Sequence, residues 1–587
     1  MISYQLSFHR PAERIIELSL QVSLSPGTWK VYLPLWRPGR YEAQRYDLNF
    51  ADLHLVEAAS VAARLEKTTT HTWELNVKEA GTFTLAYAYF ATTLDAGSSY
   101  FDHDFIYVNG INLFLGISGM EDAPCQLQME LPDDYILGGG MPAGTGRWEF
   151  DSYHTLVDTP FLASKSLRHH QFEVEGVATH LWFQGNCHPD FVQIEKEFRL
   201  YTEAQIQLFG EFPKPDYHYL FLMLPYPYRH GVEHHNSTVI VMGPGSQLMR
   251  NPRMFQSFLE ISSHELFHTW NVKAIRPADM FPYRYEEPNY SRLHYVTEGV
   301  TTYYGDLMLW KGRNWNLDQW VSSINGELRM HYGMGGHPFV SLSDASFDSW
   351  TRGYKKEGFP NRRISFYTKG YLVAMLLDQT IRKLTEGQHS LDDVIHAMYH
   401  HLAKAGKAYT AETYQTLAEV AAGQSLSSFF EQYIHGTRPL EEALKDMADF
   451  YGFTLGHLPL GEVSLSHWGI KGEYTEQGTF ELREIHPNSP LTAAGVGIGD
   501  ELTAINGLRL RKNLNEQIEY SLNQSETSLH FYHLDQLKEV SFPTPMQALV
   551  KVPQFFIQHA ISEGQKNRRQ AWQQVAVKPL APISLHS

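Results

Sequence analysis

The chain has 587 residues, 43% hydrophobic and 19% charged, so it exceeds what one core serves and reads as three or four folded domains. Its 48 basic and 65 acidic side chains give a net charge of −17, which repels phosphate backbones and anionic lipid and argues against nucleic acid or a membrane surface as partner. Two cysteines, Cys125 and Cys187, are too few for a disulfide framework and lack zinc-ligand spacing, so any metal must find histidine and carboxylate ligands.

The amino terminus, MISYQLSFHRPAERIIELSL, alternates like a strand and lacks the basic start, apolar run and small-residue cleavage site of a secretory signal. No stretch approaches the roughly 18 apolar residues that span a bilayer. The expectation is a soluble, cytoplasmic protein. From residue 1 to about 165, segments such as IIELSLQVSL, TWKVYLPLW and TFTLAYAYF alternate between Gly, Pro and Asp breaks, which predicts an N-terminal β-sandwich.

Residues 166 to about 250 are mixed. ATHLWFQG, HYLFLML and STVIVMG read as strands around a helix near FVQIEKEFRLYTEAQIQLFG. From about 251 the period turns helical. MFQSFLEISSHELFHTW places Phe255, Leu259, Leu266 and Trp270 on one side of a helix and His264 and His268 on the other. Further helices are expected at 296–311, 366–385, 391–404 and 411–421, so 166–454 reads as one mainly helical catalytic domain. Near 455 strands return, and LREIHPNSPLTAAGVGIGDELTAINGLRL (482–510) closely resembles a PDZ domain in its order of turns, short helix and hairpin. Residues 455–555 are assigned to it and 556–587 to a C-terminal tail. Trp468, Gly469 and Ile470 are the candidates for a loop holding a peptide's terminal carboxylate, although packing on a neighbouring domain is an equal alternative. The fold class is multidomain α+β.

His264-Glu265-x-x-His268 is the densest chemical signal. Histidines at i and i+4 can share a zinc ion, and the glutamate after the first can reach a metal-bound water. With 30 histidines in the chain the motif alone decides little. Two downstream glutamates compete as third ligand. Glu287 leaves residues 269–286 between, the spacing of the large alanyl and leucyl aminopeptidases, but it sits in PYRYEEPNYS between prolines, where a loop holds no side chain rigidly. Glu298 opens TEGVTTYYGDLMLW, a helix of good period, and a ligand on a helix is better fixed. Glu298 is therefore the preferred ligand.

The motif, followed by Trp270-Asn271-x-Lys273-x-x-Arg276-Pro277 and Thr297-Glu298-Gly299-x-Thr301-x-Tyr303-Tyr304, resembles the glycyl aminopeptidase family, metallopeptidase family sixty-one. LPLWRPGRY (33–41) is similar to a strand and turn of that family's amino-terminal β domain. The resemblance spans nearly the whole chain and implies a thermolysin-like catalytic domain between β domain and PDZ domain, with one Zn²⁺ per chain on His264, His268 and Glu298. Thermolysin-type sites often brace a histidine with an aspartate one turn after the ligand glutamate. Here that position is Thr302, which leaves Thr301 or Asp306 as braces.

Two more groups complete the chemistry. Tyr367-x-Lys369-Gly370 resembles the tyrosine motif of these aminopeptidases, which implies that Tyr367 stabilises the oxyanion. Gly231-Val232-Glu233-His234 is similar to an amine-anchoring Gly-Leu-Glu-His of this family, which implies that Glu233 is the partner of a substrate α-amino group. The leading function is a zinc aminopeptidase acting on peptides, with Glu265 as general base and, by the resemblance, small first residues such as glycine or alanine. The alternatives are a zinc endopeptidase with PDZ-assisted substrate capture and a non-catalytic PDZ peptide-binding adaptor.

Overall fold

The computed structural model describes residues 2–56, 62–355 and 358–582. The amino-terminal part is β-rich. A six-stranded sheet, ordered Arg147–Phe150, Cys125–Met129, Ile2–Arg10, Ile15–Leu24, Gly81–Phe90 and Phe50–Leu55, packs its alternating apolar residues against a four-stranded sheet built on Gly27–Tyr32 and Thr72–Val77. Strict alternation in Ile15–Leu24 sends Ile16, Leu18, Leu20, Val22 and Leu24 inward and the residues between them outward, the period a half-buried sheet requires. A third, four-stranded sheet leans on this sandwich.

A five-stranded mixed sheet follows, ordered Arg168–Val174, Val177–Gly185, Asp216–Met223, Ser237–Gly243 and Tyr228–Glu233. Its central strands are buried along most of their length and pair in parallel, as strands covered on both faces do. Tyr228–Glu233 is an edge strand, antiparallel to Ser237–Gly243, and carries Gly231 and Glu233.

The helices beyond the sheet deviate from expectation in four places. The histidine helix, Pro252–Phe267, ends a residue before His268, so Trp270 packs from the following turn instead of from the helix face. Tyr295–Val300 is a π-helical turn, and only from Thr301 to Lys311 does the chain become α-helical. The helix Leu317–Tyr332, opened by an Asn316–Gln319 capping box, is not among the helices expected. The helices Phe366–Leu384 and Ala411–Ala422 lie where they were expected, whereas the segment from Leu391 is α-helical only to Ala397 and then π-helical to Leu402.

The carboxy-terminal sheet holds Ile470–Tyr474, Phe480–Ile485, Glu501–Ile505, Glu526–His533 and Gln536–Pro543 around its own core of Trp468, Leu482, Leu502 and Leu529. Residues 551–557 lie outside it and pair with Phe453–Pro459. The segment read as a tail is not loose: Glu563–Gln573 is a helix whose Trp572 is buried against Trp310, Trp320 and Tyr451 of the helical domain. Cys125 and Cys187 are buried free thiols. Among the described residues no helix is long and apolar enough to cross a membrane.

Candidate metal centre and active-site pocket

Four helical segments and one edge strand meet around a pocket of about 750 Å³. The histidine helix brings in His264 and Glu265, and its cap supplies His268. Two glycines let the other elements close in. Gly305 lies so near the His264 backbone that a Cβ there would stand 3.0 Å from the His264 Cα, and Ser263 Oγ donates to the Gly305 carbonyl at 2.6 Å. This packing sets the π-turn and the following helix beside the histidines, and Glu298 points at them.

His268 Nε2 lies 3.1 Å from His264 Nε2 and 3.5 Å from Glu298 Oε2, and His264 Nε2 lies 4.0 Å from the same oxygen. His268 Nδ1 donates to the Asn271 carbonyl at 2.8 Å, which turns Nε2 toward His264 and Glu298. Two ring nitrogens and a carboxylate oxygen converging on one point, with His268 and Glu298 buried and His264 partly so, form a donor set suited to a divalent cation such as zinc. Burial alone would lower the His268 imidazole, but Glu233 and Glu298 outweigh it and hold it up at about 10. Burial, joined by Glu233 and Glu298, pushes the Glu265 carboxyl up to about 8. Among the described residues a second convergent set, Glu233–Glu265–His268, overlaps the first.

The brace of the histidine is neither side chain expected for it. The Asn271 carbonyl holds His268, and Thr301 Oγ1 donates to that same carbonyl at 3.0 Å, so Thr301 acts at one remove. Asp306 instead accepts from the Ser323 hydroxyl. Glu298 has a partner that sequence reasoning missed: Tyr41 Oη donates to its Oε1 at 2.8 Å from the amino-terminal domain, fully buried and stacked on His294. The available signal was LPLWRPGRY, whose last residue is Tyr41.

Glu233 is 4% exposed, and its Oε1 is buried without a hydrogen-bond partner. Gly39, at φ +82° in the turn before Tyr41, comes so close that a Cβ would meet Glu233 Oε2 at 2.4 Å. Gly231 is required for a similar reason, since its Cβ would stand 2.0 Å from Glu265 Oε1. Behind Glu233, Asp158 accepts from His234 Nδ1 at 3.1 Å and pairs with Lys273 Nζ at 2.6 Å. Burial would raise the Asp158 carboxyl, yet Lys273 and His234 hold it well below the usual carboxylate range. The Lys273 of the Trp-Asn-x-Lys stretch thus anchors the strand end that carries Glu233.

Tyr367 reaches the pocket because Gly370, one turn on, crosses Gly299 at close range: a Cβ on Gly299 would lie 2.5 Å from the Gly370 Cα. Its hydroxyl lies 3.3 Å from that of Tyr354, over which Arg40 stacks at 3.8 Å. His264, Glu265, His268, Glu298, Glu233, Gly231 and Tyr367 all line this one pocket. Glu287 does not; it is exposed and pairs with Arg284 at 2.6 Å.

Trp468, Gly469 and Ile470 lie elsewhere and form no open cradle. Trp468 is wholly buried, its N–H donates to Val463, and the Gly469 N–H donates to Leu465. The donors expected to receive a carboxylate are used within the preceding helical turn.

Residues 257–373 match the model of the M61 glycyl aminopeptidase family, and residues 3–165 match that of the peptidase M61 N-terminal domain. No curated protein matches the chain. A crystal structure of an aminopeptidase N family protein from Idiomarina loihiensis has a similar fold, with a TM-score of 0.85 at 23% identity over 98% of this chain and 100% of that one. An M1 zinc metallopeptidase from Deinococcus radiodurans aligns with a TM-score of 0.47 at 13% identity, over 75% of this chain and 93% of that one. Both domain models of the M61 glycyl aminopeptidase family are thus matched in order, with the His-Glu-x-x-His helix inside the second.

Proposed function

We propose that this protein is a zinc-dependent aminopeptidase that releases amino-terminal residues, small ones such as glycine and alanine, from peptides. The observation that carries it is Glu233. A buried carboxylate with a bare oxygen, in the same pocket as the metal-ligand cluster, is the counter-charge a substrate α-ammonium needs. The walls beside it, Gly39 and Arg40 with Tyr354 and Tyr367, favour a small first residue.

His264, His268 and Glu298 would hold the zinc, which supplies a water of lowered pKa and polarises the scissile carbonyl. The chain's own groups do the rest. Glu233 fixes the amino terminus and so sets which peptide bond lies at the reacting centre. Glu265 takes the proton of the attacking water and passes it to the leaving amine. Tyr367 donates from Oη to the oxygen that gains charge in the tetrahedral adduct, with Tyr354 orienting that hydroxyl. Tyr41 and the Asn271 carbonyl hold the ligands in place. The carboxy-terminal sheet is read as a PDZ-like unit that packs against the catalytic domain.

The test compares alanyl amide with its N-acetyl derivative. We expect the free substrate alone to be cleaved, and Glu265→Gln to lower kcat by about 10² to 10⁴ while zinc stays bound. Equal cleavage of the blocked substrate would move the activity to an endopeptidase and make Glu233 structural.

A further inference from the structure

The pocket continues past the ligand cluster, and its far wall is acidic. Glu260, Asp306 and Glu327 line it there, from the histidine helix, the helix Thr301–Lys311 and the helix Leu317–Tyr332. Glu260 stands one turn before His264. Asp306 follows Gly305, the residue in contact with the His264 backbone. The trio therefore lies on the His264 side of the centre, whereas Glu233 converges with His268 and Glu265 on the other.

These carboxylates have no cation in contact. Among the described residues none of the three forms an ion pair; Glu260 Oε1 accepts from Gln256 at 3.1 Å and Asp306 from the Ser323 hydroxyl. Glu327 Oε2 is buried, belongs to the pocket wall and has no hydrogen-bond partner. Burial raises all three carboxyl groups, Glu327 to about 7, and hydrogen bonds from Gln256, Ser323 and Thr368 together with the charge of Arg229 on the pocket lining offset it only in part. A metal ion does not fit: the groups that converge to ligand distance among the described residues are the two sets around His268, and the trio is not among them. A flexible chain ending in a spread cation does fit, and Ile261 and Met330 on the same wall offer apolar surface to its stem.

We infer that this end of the pocket receives a cationic side chain on the residue just after the scissile bond, so that the preferred substrates are peptides with arginine or lysine in second position. The inference rests on the aminopeptidase reading, because the amine anchored on Glu233 sets the direction in which the peptide runs past His264.

The test measures kcat/KM of the zinc-loaded full chain for alanyl-arginine, alanyl-lysine, alanyl-leucine and alanyl-glutamate amides. We expect the basic pair to exceed alanyl-leucine amide by about tenfold or more and alanyl-glutamate amide to be the poorest. In Glu327→Gln and in Glu260→Gln the arginine-to-leucine ratio should fall to within about threefold of one. The wild-type ratio stands as a test even if a variant fails to fold. Cleavage of alanyl-leucine amide with arginine no better than leucine overturns the subsite and leaves the aminopeptidase standing. Equal rates on N-acetylated amides overturn both.

Discussion

At the scale of single residues, the centre depends on groups that touch no substrate. Tyr41 bonds the outer oxygen of Glu298 from another domain, and the Asn271 carbonyl fixes His268. Tyr41→Phe should therefore weaken zinc binding about 10- to 100-fold in a chelator competition, with the fold intact by circular dichroism. Glu327 offers a second residue-level check. Its folded carboxyl holds a proton to about 7, against an ordinary value of 4.5, so the folded state binds more protons between those values and stability falls as pH rises through that window. Replacing it with glutamine should stabilise the protein by on the order of 2 kcal/mol at pH 7.5 and leave it nearly unchanged at pH 4.5, read from denaturant midpoints. A gain equal at both pH values would show that Glu327 is not held protonated.

At the scale of elements, the catalytic geometry is set by close crossings at glycine. Gly299 against Gly370 brings the tyrosine helix onto the π-turn, and Gly305 against His264 brings the following helix onto the histidines. Gly370→Ala should cost about 1 to 3 kcal/mol in thermal unfolding and lower kcat more than it raises KM, because it moves Tyr367 away from the centre. An unchanged kcat would remove Tyr367 from the oxyanion role. Much of this level was readable in the sequence. The histidine helix, the three central strands of the mixed sheet and the helix that carries Tyr367 follow from apolar period, whereas the edge strands Arg168–Val174 and Tyr228–Glu233 were not read, and Glu298 was separated from Glu287 by asking which one an element would hold. The π-turn at Glu298 was not readable, since i→i+5 bonding leaves no mark on an apolar stripe. The helix Leu317–Tyr332 was missed although Asn316 and Gln319 form a capping box, and with it went Glu327. Tyr41 was missed because its role exists only once two domains are in contact, and local pattern carries no such information. Trp468 was placed in a binding loop by its position in the PDZ-like order, but an aromatic side chain of that size fills the small domain's core instead.

At the scale of the whole molecule, the amino-terminal sandwich completes the active site: Gly39 closes on Glu233 and Tyr41 holds Glu298. The carboxy-terminal helix closes the other side of the catalytic domain, where Trp572 stacks on Tyr451 and its indole N–H donates to Tyr303 at 3.1 Å. Trp572→Ala should destabilise the protein by about 3 to 5 kcal/mol, seen as an earlier denaturant midpoint, while the arginine-to-leucine preference of the folded fraction is unchanged. The account turns on a zinc ion held by His264, His268 and Glu298. The most direct measurement titrates zinc into chelator-stripped protein while following hydrolysis of alanyl anilide. We expect activity to rise from baseline in proportion to added zinc and to saturate at about one equivalent per chain. Full activity in the stripped protein, or the same titration curve in Glu298→Gln, would contradict it.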